Sequence, residues 1–94
     1  MQNTDRKIKL DPSFITHEVD GVHYLISTDD TKFKGMVKNN RTAAFIIESL
    51  KKAVTEKEVA DRLMDRYPDA DRKVIEKDVS DMITKLRSIG AIAE

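Results

Sequence analysis

The sequence contains no cysteine, and this absence excludes several classes of protein. Disulfide frameworks, thiolate metal sites and cysteine nucleophiles all need a residue that the 94-residue chain does not have. Glycine is scarce as well, since three glycines stand alone at positions 21, 35 and 90. A glycine-rich loop that could cradle a phosphate is therefore missing from the sequence.

The sequence also lacks an excess of one charge. Lys plus Arg number 17 and Asp plus Glu number 17, so the formal net charge is 0. Proteins that bind nucleic acid through its phosphates usually have a basic excess. No segment has the apolar length of a membrane span or the pattern of a signal peptide. We therefore expect one soluble, cytoplasmic domain, with residues 1–12 as a flexible N-terminal segment and residues 13–94 as the folded part.

A β-hairpin is the first element that the sequence predicts. Asp20 and Gly21 form a strong two-residue turn signal, because both central positions of a type I′ turn need positive φ. The expected cross-strand pairs are Glu18 with His23, His17 with Tyr24 and Ile15 with Ile26. One face of the hairpin is largely apolar, and we expect it to meet the core. That face consists of Ile15, His17, Val19, Val22, Tyr24 and Ile26.

A third strand and three helices follow the hairpin. The strand is predicted from Phe33 to Val37, and the first helix begins near Asn39 or Asn40. Thr55 begins the second helix with a capping box, and Asp71 caps the third. The expected helix-terminating residues are Pro68 and Gly90. The fold class is therefore α+β and winged-helix-like, with a three-stranded antiparallel N-terminal sheet followed by three helices.

The reactive side chains do not converge in this arrangement. His17 and His23 are expected on opposite faces of the hairpin, where they cannot easily share a metal ion. The paired carboxylates fall in turns and at helix starts, where capping and solvation explain them. We expect no catalytic residue, no metal and no cofactor, and hence a binding protein rather than an enzyme.

The third strand offers one way of binding a partner. Alternation places Phe33, Gly35 and Val37 on one face and Lys34 and Met36 on the other. At a sheet edge, the free N–H and C=O groups of such a strand can accept an extended peptide. Two simpler interpretations stay open at this point: lysines on an edge strand prevent unwanted pairing, and Gly35 can mark a β-bulge.

The third helix could form the opposite wall of such a groove. Asp78, Met82 and Lys85 follow one another at helical spacing beside the apolar stripe of that helix. Methionine suits an adaptable binding surface, and the two charges could fix the register of a guest. The alternative is that Met82 belongs to the core and that Lys85 forms a surface pair with Asp81.

DNA binding by a winged helix is the alternative function. The last helix would then read the major groove. Its five basic residues are offset by four acidic ones, which leaves a net charge of +1. Asp78 and Asp81 lie in the middle of the helix, where they would meet phosphates unfavourably, so nucleic acid is the weaker candidate.

The sequence resembles the PqqD family, small proteins named for pyrroloquinoline quinone (PQQ) synthesis. The similarity runs from about Phe14 to Ile92 and includes a glycine-containing strand, an Asn-x-Thr-x-Ala-Phe-Ile segment that starts at Asn40, and a closing Leu-x-x-x-Gly at Leu86 to Gly90. Ile47 departs from the pattern, since the family often has an aromatic residue there. The resemblance therefore suggests a divergent member and leaves PQQ open as the end product.

This resemblance implies a non-catalytic peptide chaperone, also called a RiPP recognition element. Such a domain binds the leader of a ribosomally made precursor peptide and presents it to a modifying enzyme, often a radical SAM enzyme. In the family the leader adds as a strand to the third strand and lies against the third helix. The peptide-binding residues that the resemblance implies are Phe33, Lys34, Gly35, Met36, Val37, Asp78, Met82 and Lys85. The sequence leaves the precursor, the enzyme and the choice between monomer and dimer open.

Overall fold

The computed structural model describes residues 6–29 and 35–93. The strands are β1 (Lys9–Leu10), β2 (Phe14–Val19), β3 (Val22–Ser27), β4 (Met36–Asn39) and β5 (Ile92–Ala93). The helices are α1 (Arg41–Ser49), α2 (Glu56–Arg66) and α3 (Arg72–Ser88). Strands β2, β3 and β4 form an antiparallel sheet in that order, and β1 pairs with β5. The α+β fold class is confirmed.

The predicted hairpin register is confirmed at every pair. Glu18 lies opposite His23, His17 opposite Tyr24 and Ile15 opposite Ile26. Asp20 and Gly21 have φ of 51° and 80°, which is the pair of positive values that a type I′ turn requires. The turn residues therefore fix the alignment of the two strands.

The prediction of which hairpin face meets the core was wrong. Phe14 and Leu25 are buried, with exposed fractions of 4% and 0%, whereas Ile15 and Val19 are 48% and 46% exposed. Leu25 lies beside Val37 of β4, which packs against the core. The rest of the chain packs on the opposite face of the hairpin, around Phe14, Leu25 and Val37. The more apolar face therefore lies on the outer side of the sheet.

The helices begin at the predicted residues. The Asn40 side chain accepts a hydrogen bond from the Ala43 N–H, and Thr55 forms a capping box with Glu58. Asp71 caps α3 through the Lys73 N–H. At the end of α3, a Schellman motif forms, since the Ala91 N–H donates to the Leu86 C=O at 2.9 Å.

The core lies where the apolar stripes of the three helices meet the inner face of the sheet. Ile46, Leu63 and Ile83, one from each helix, are at most 1% exposed. Helices α2 and α3 pack closely, and α1 contacts both of them as well as β3 and β4. None of the helices in the described part of the chain combines the length and the apolar character needed to cross a bilayer.

The boundary predicted after residue 12 does not hold for the described residues before it. Ile8 and Leu10 are 2% and 5% exposed and belong to the core. The Ile8 N–H donates to the Val54 C=O at 2.7 Å, and the Leu10 N–H donates to the Leu50 C=O at 2.7 Å. Two apolar residues among polar neighbours gave too short a pattern to predict a strand, but their backbone pairing places them inside the domain. Residues 1–5 of the expected segment lie outside the described residues.

Candidate functional site

The candidate site starts at β4, which is an edge strand of the three-stranded sheet as described. The strand begins at Met36 and ends at Asn39, so it lies two to three residues later than the predicted strand from Phe33 to Val37. Gly35 has φ of 109°, outside the range of a regular strand, and this explains why the strand begins after it. Phe33 and Lys34 lie outside the described residues.

The hairpin geometry fixes which backbone groups of β4 point away from the sheet. In a two-residue hairpin, Val19 and Val22 beside the turn are the hydrogen-bonded pair. Bonding direction alternates along β3, so His23 and Leu25 direct their N–H and C=O groups toward β4. Their partners are Asn39 and Val37. The backbone groups of Met36 and Lys38 therefore point to the free edge.

Gly35 is needed for its backbone conformation rather than for the absence of a side chain. A Cβ atom built on Gly35 would meet nothing within 4 Å. The space at this residue is therefore open, and a small side chain would fit if the backbone allowed it. The positive φ is what disfavours other residues there.

A cleft of about 340 Å³ lies between the start of α1 and the middle of α3. Asp78, Met82 and Lys85, the three helix residues that the sequence singled out, all line it. The cleft begins at Asn40, directly after β4, so it lies at the end of the free edge. The residues that sequence reasoning missed are Asn40, Thr42, Ala43, Ile46 and Asp81.

The missed residues come mainly from the first two turns of α1. The helical spacing of Ala43, Ile46, Ile47 and Leu50 in the sequence predicts a core stripe for this helix, and Thr42 is not part of it. The prediction is correct for Ile46, which is 1% exposed. Thr42 and Ala43 are half-buried and form the rim of the stripe that faces α3.

Two of the charged residues in the cleft have no ionic partner among the residues that the structure describes. Asp81 is paired, since its carboxylate accepts a hydrogen bond from Lys77 Nζ at 2.7 Å. This hydrogen bond is the main cause that raises the pKa of Lys77, and the nearby charge of Asp78 adds to it. Asp78 and Lys85 form no ion pair in the described part of the chain, and both line the cleft.

The strand residues of the predicted site have different environments. Met36 is 59% exposed on the outer face of the sheet. Val37 is half-buried and packs against the core, so its side chain does not line the cleft. The contribution of β4 to a guest would thus come mainly from its backbone.

The two histidines lie on opposite faces of the hairpin, as their register requires. His23 Nδ1 lies 3.6 Å from Glu18 Oε1, across the strand pair that the sequence predicted. Within residues 6–29 and 35–93, no three His, Cys, Asp or Glu side chains come close enough together to hold a metal ion.

Comparison with known proteins identifies relatives of the same fold. A lasso peptide synthetase B1 complexed with its leader peptide is 23% identical, with a TM-score of 0.74 over 93% of this chain and 98% of that chain. TbiB1 in complex with the TbiA(β) leader peptide is 17% identical, with a TM-score of 0.75 over 89% of this chain and 93% of that chain.

A third solved structure is the solution NMR structure of the PqqD truncation of Methylobacterium extorquens PqqCD. That protein represents a functional, stand-alone RiPP recognition element. It is 18% identical, with a TM-score of 0.76 over 99% of this chain and 94% of that chain. No curated protein matches the sequence.

The family comparison covers most of the chain. The model of the family described as coenzyme PQQ synthesis protein D (PqqD) matches residues 23–92, from β3 to the end of the fold. This span includes β4, all three helices and every residue that lines the cleft. The chain belongs to the PqqD family.

Proposed function

We propose that this protein is a non-catalytic chaperone that binds the leader of a ribosomally made precursor peptide. The observation that carries the proposal is the free edge of β4, which ends at a cleft with unpaired charges. An extended peptide can add to such an edge as a further strand, and alternate side chains can enter the adjoining cleft. Family membership and two neighbours of the same fold that hold leader peptides support the proposal.

The backbone of β4 supplies affinity that does not depend on the guest sequence. Met36 and Lys38 each direct one N–H and one C=O group to the free edge, so a guest strand can form up to four hydrogen bonds with them. Each such bond contributes about 1 kcal/mol net, because both partners give up water. Selectivity must therefore come from side chains.

The cleft supplies that selectivity. Met82, Ala43 and Ile46 give it an apolar wall, and Asp78 and Lys85 give it one charge of each sign. Asp78 and Lys85 lie two helical turns apart, about 10.5 Å along α3. An extended guest rises about 3.3 Å per residue. We expect the guest to place a basic residue near Asp78 and an acidic residue near Lys85, two to four positions apart.

The partner of the loaded chaperone is a modifying enzyme, which we propose to be a radical SAM enzyme. The chaperone itself needs no cofactor, because it holds and presents the leader while the chemistry occurs on the partner. Membership of the PqqD family supports this part of the proposal.

The test is an NMR titration of the full chain with the precursor peptide encoded beside its gene. We expect chemical-shift changes at residues 35–38 and at Asp78, Met82 and Lys85. Asp78→Lys should weaken binding about tenfold by reversing a charge in the cleft. Asp65→Lys makes the same change on α2, outside the cleft, and should leave affinity unchanged.

Two results would contradict the proposal. One is a set of shifts confined to the α2–α3 turn, which would move the peptide away from β4. The other is an absence of peptide binding together with duplex DNA binding that falls steeply with salt, as a winged-helix DNA-binding protein would show.

A further inference from the structure

A second cleft lies on the opposite side of α1 from the proposed peptide site. It has a volume of about 410 Å³ and is bounded by the turn end of the hairpin, α1 and the end of α2. Sites for small molecules are typically about 300–1,000 Å³. The inner face of the hairpin forms its roof, since Glu18 and His23 extend beyond the part of the sheet that covers the core.

A buried amide without a partner lines this cleft. Asn39 is only 8% exposed, and its side chain makes no hydrogen bond with another described residue. No fully buried side-chain nitrogen or oxygen among these residues lacks a partner. The polar atoms of Asn39 must therefore reach the open space of the cleft. An amide that only a ligand or water can satisfy is an unusual feature of a residue that is more than nine-tenths buried.

Two arginines give the cleft an uncompensated positive charge. Arg41 is the first residue of α1 and Arg66 is the last residue of α2, and both line the cleft. Neither guanidinium has a carboxylate partner among the residues described. Arg66 Cζ lies 5.7 Å from the centroid of the Phe45 ring, which holds the guanidinium beside an aromatic wall.

One of the two acidic residues of the cleft has a cationic partner, since Glu48 pairs with Lys51 at 3.0 Å. Glu18 lies 3.6 Å from His23, a contact that balances its charge only when the ring is protonated. Two guanidinium groups thus stand against one carboxylate, and the cleft keeps an excess of positive charge. Planar guanidinium groups and an amide donor suit a carboxylate, and Phe45 with Ile47 suits an apolar body attached to it.

We propose that this cleft binds a small organic carboxylate with an apolar or aromatic body. Arg41 and Arg66 bind the carboxylate oxygens, the Asn39 amide donates a further hydrogen bond, and the body of the ligand lies against Phe45. This cleft and the cleft of the proposed leader-peptide site share no lining residue, although Asn39 is also the last residue of β4.

The direct experiment titrates the full, isotope-labelled chain with benzoate at constant ionic strength. We expect shifts at the Asn39 side-chain amide, Arg41, Phe45 and Arg66, with a dissociation constant of about 1 mM, as suits a ligand of this size. Benzamide has the same shape without the charge, and benzylammonium has the opposite charge. Neither should bind there.

Matched variants test whether benzoate binds at this cleft or responds only to the overall charge of the protein. Arg66→Gln should weaken benzoate binding about tenfold, because it removes a charge-assisted hydrogen bond. Arg62→Gln changes the same residue type on the same helix but outside the cleft, and should leave the affinity unchanged. Both positions are exposed, so neither variant should unfold the protein.

The source of the carboxylate is tested with a capped dipeptide, N-acetyl-aspartyl-phenylalanine amide. Binding of benzoate with the expected sensitivity to Arg66→Gln supports a free small acid. If the dipeptide binds and benzoate does not, the proposal of a free small acid is overturned, and the ligand is a carboxylate that belongs to a peptide. An absence of shifts at the four residues with about 20 mM benzoate, or equal binding of benzamide, overturns the site itself.

Discussion

At the scale of single residues, Lys38 is the position where one backbone group can be tested separately from its side chain. Its N–H points to the free edge of β4, whereas that of Val37 points to β3, by the alternation that starts at the hairpin turn. Removing an outward N–H leaves the native sheet bonds in place. Proline is tolerated at such positions of edge strands.

We predict that Lys38→Pro weakens precursor binding about three- to tenfold relative to Lys38→Ala, because one guest hydrogen bond is lost. Isothermal titration of both variants with the same peptide measures the difference. The Ala variant controls for the lost side chain, and thermal unfolding of both controls for stability. Equal affinities would show that the guest does not use this edge.

Arg72, the first residue of α3, contacts two carboxylates, Asp61 on α2 and Glu76 on its own helix. Its Nη1 lies 2.7 Å from Asp61 and its Nε lies 3.0 Å from Glu76. The hydrogen bond from Arg72 is the main cause that lowers the pKa of Asp61 from its ordinary value of 3.8, and Lys57 contributes to the same direction. The folded state therefore holds the Asp61 proton less tightly than the unfolded state does.

The pH dependence follows from the sign of that shift. A lowered folded-state pKa stabilises the protein above the unfolded-state value, and this contribution is lost as the pH falls through the folded-state value. We predict that Arg72→Gln lowers stability by a constant amount above about pH 5, and that the difference shrinks below pH 3.8. Urea unfolding across this range measures it, with the exposed Lys73→Gln on the same helix as the control. A difference that persisted at low pH would assign the effect of Arg72 to packing instead.

At the scale of elements, the helix starts are the most strongly determined features of the chain. Thr55 accepts the Glu58 N–H at 3.1 Å, and the Thr55 N–H donates to Glu58 Oε1 at 2.9 Å. The backbone hydrogen bond from Thr55 is the main cause that lowers the pKa of Glu58. The same two residues satisfy two backbone groups that would otherwise lack partners.

We predict that Thr55→Ala destabilises the domain by about 1 kcal/mol, the usual loss for an N-cap. Thr84→Ala is a matched control, since Thr84 is exposed in the middle of α3 and makes no cap. Replacing it with a better helix former should leave stability unchanged or slightly higher. Equal losses at both positions would contradict the capping argument.

The elements also show which parts of the structure the sequence could predict. Turn and cap residues act locally, so Asp20-Gly21, Asn40, Thr55 and Asp71 predicted register and helix starts correctly. The core face of the hairpin depends on contacts far along the chain. The outer face has more apolar residues than the inner one, so counting them favoured the wrong side, and only the pairing of Leu25 with Val37 reveals the covered face.

The same distinction holds for the candidate site. That Asp78, Met82 and Lys85 share one face of α3 could be predicted because helical spacing is regular once the cap at Asp71 is known, and their role in peptide binding stays a prediction. Ala43 and Thr42 were not, because whether a residue at the rim of an apolar stripe meets another helix depends on how the two helices pack. The second cleft was also unpredictable, since Asn39, Arg41 and Arg66 are brought together only by the packing of three elements.

At the scale of the whole molecule, the strands near the two ends of the described chain pair with each other. β1 pairs with β5, with Leu10 opposite Ile92, and the Asp11 N–H donates to the Ala91 C=O at 2.8 Å. Leu10 also bonds to Leu50 at the end of α1. This small sheet therefore connects the chain before the hairpin with both the first and the last helix.

Leu10 should consequently matter for global stability, although it belongs to a two-residue strand in a polar stretch. Its side chain is 5% exposed, and its truncation leaves a cavity among core residues. We predict that Leu10→Ala lowers the free energy of unfolding by about 2–4 kcal/mol, the range for a buried leucine. Urea denaturation measures this loss, with the exposed neighbour Lys9→Ala expected within about 0.5 kcal/mol of the parent. If both variants unfolded at the parent midpoint, the residues before the hairpin would be dispensable and the domain would begin after them.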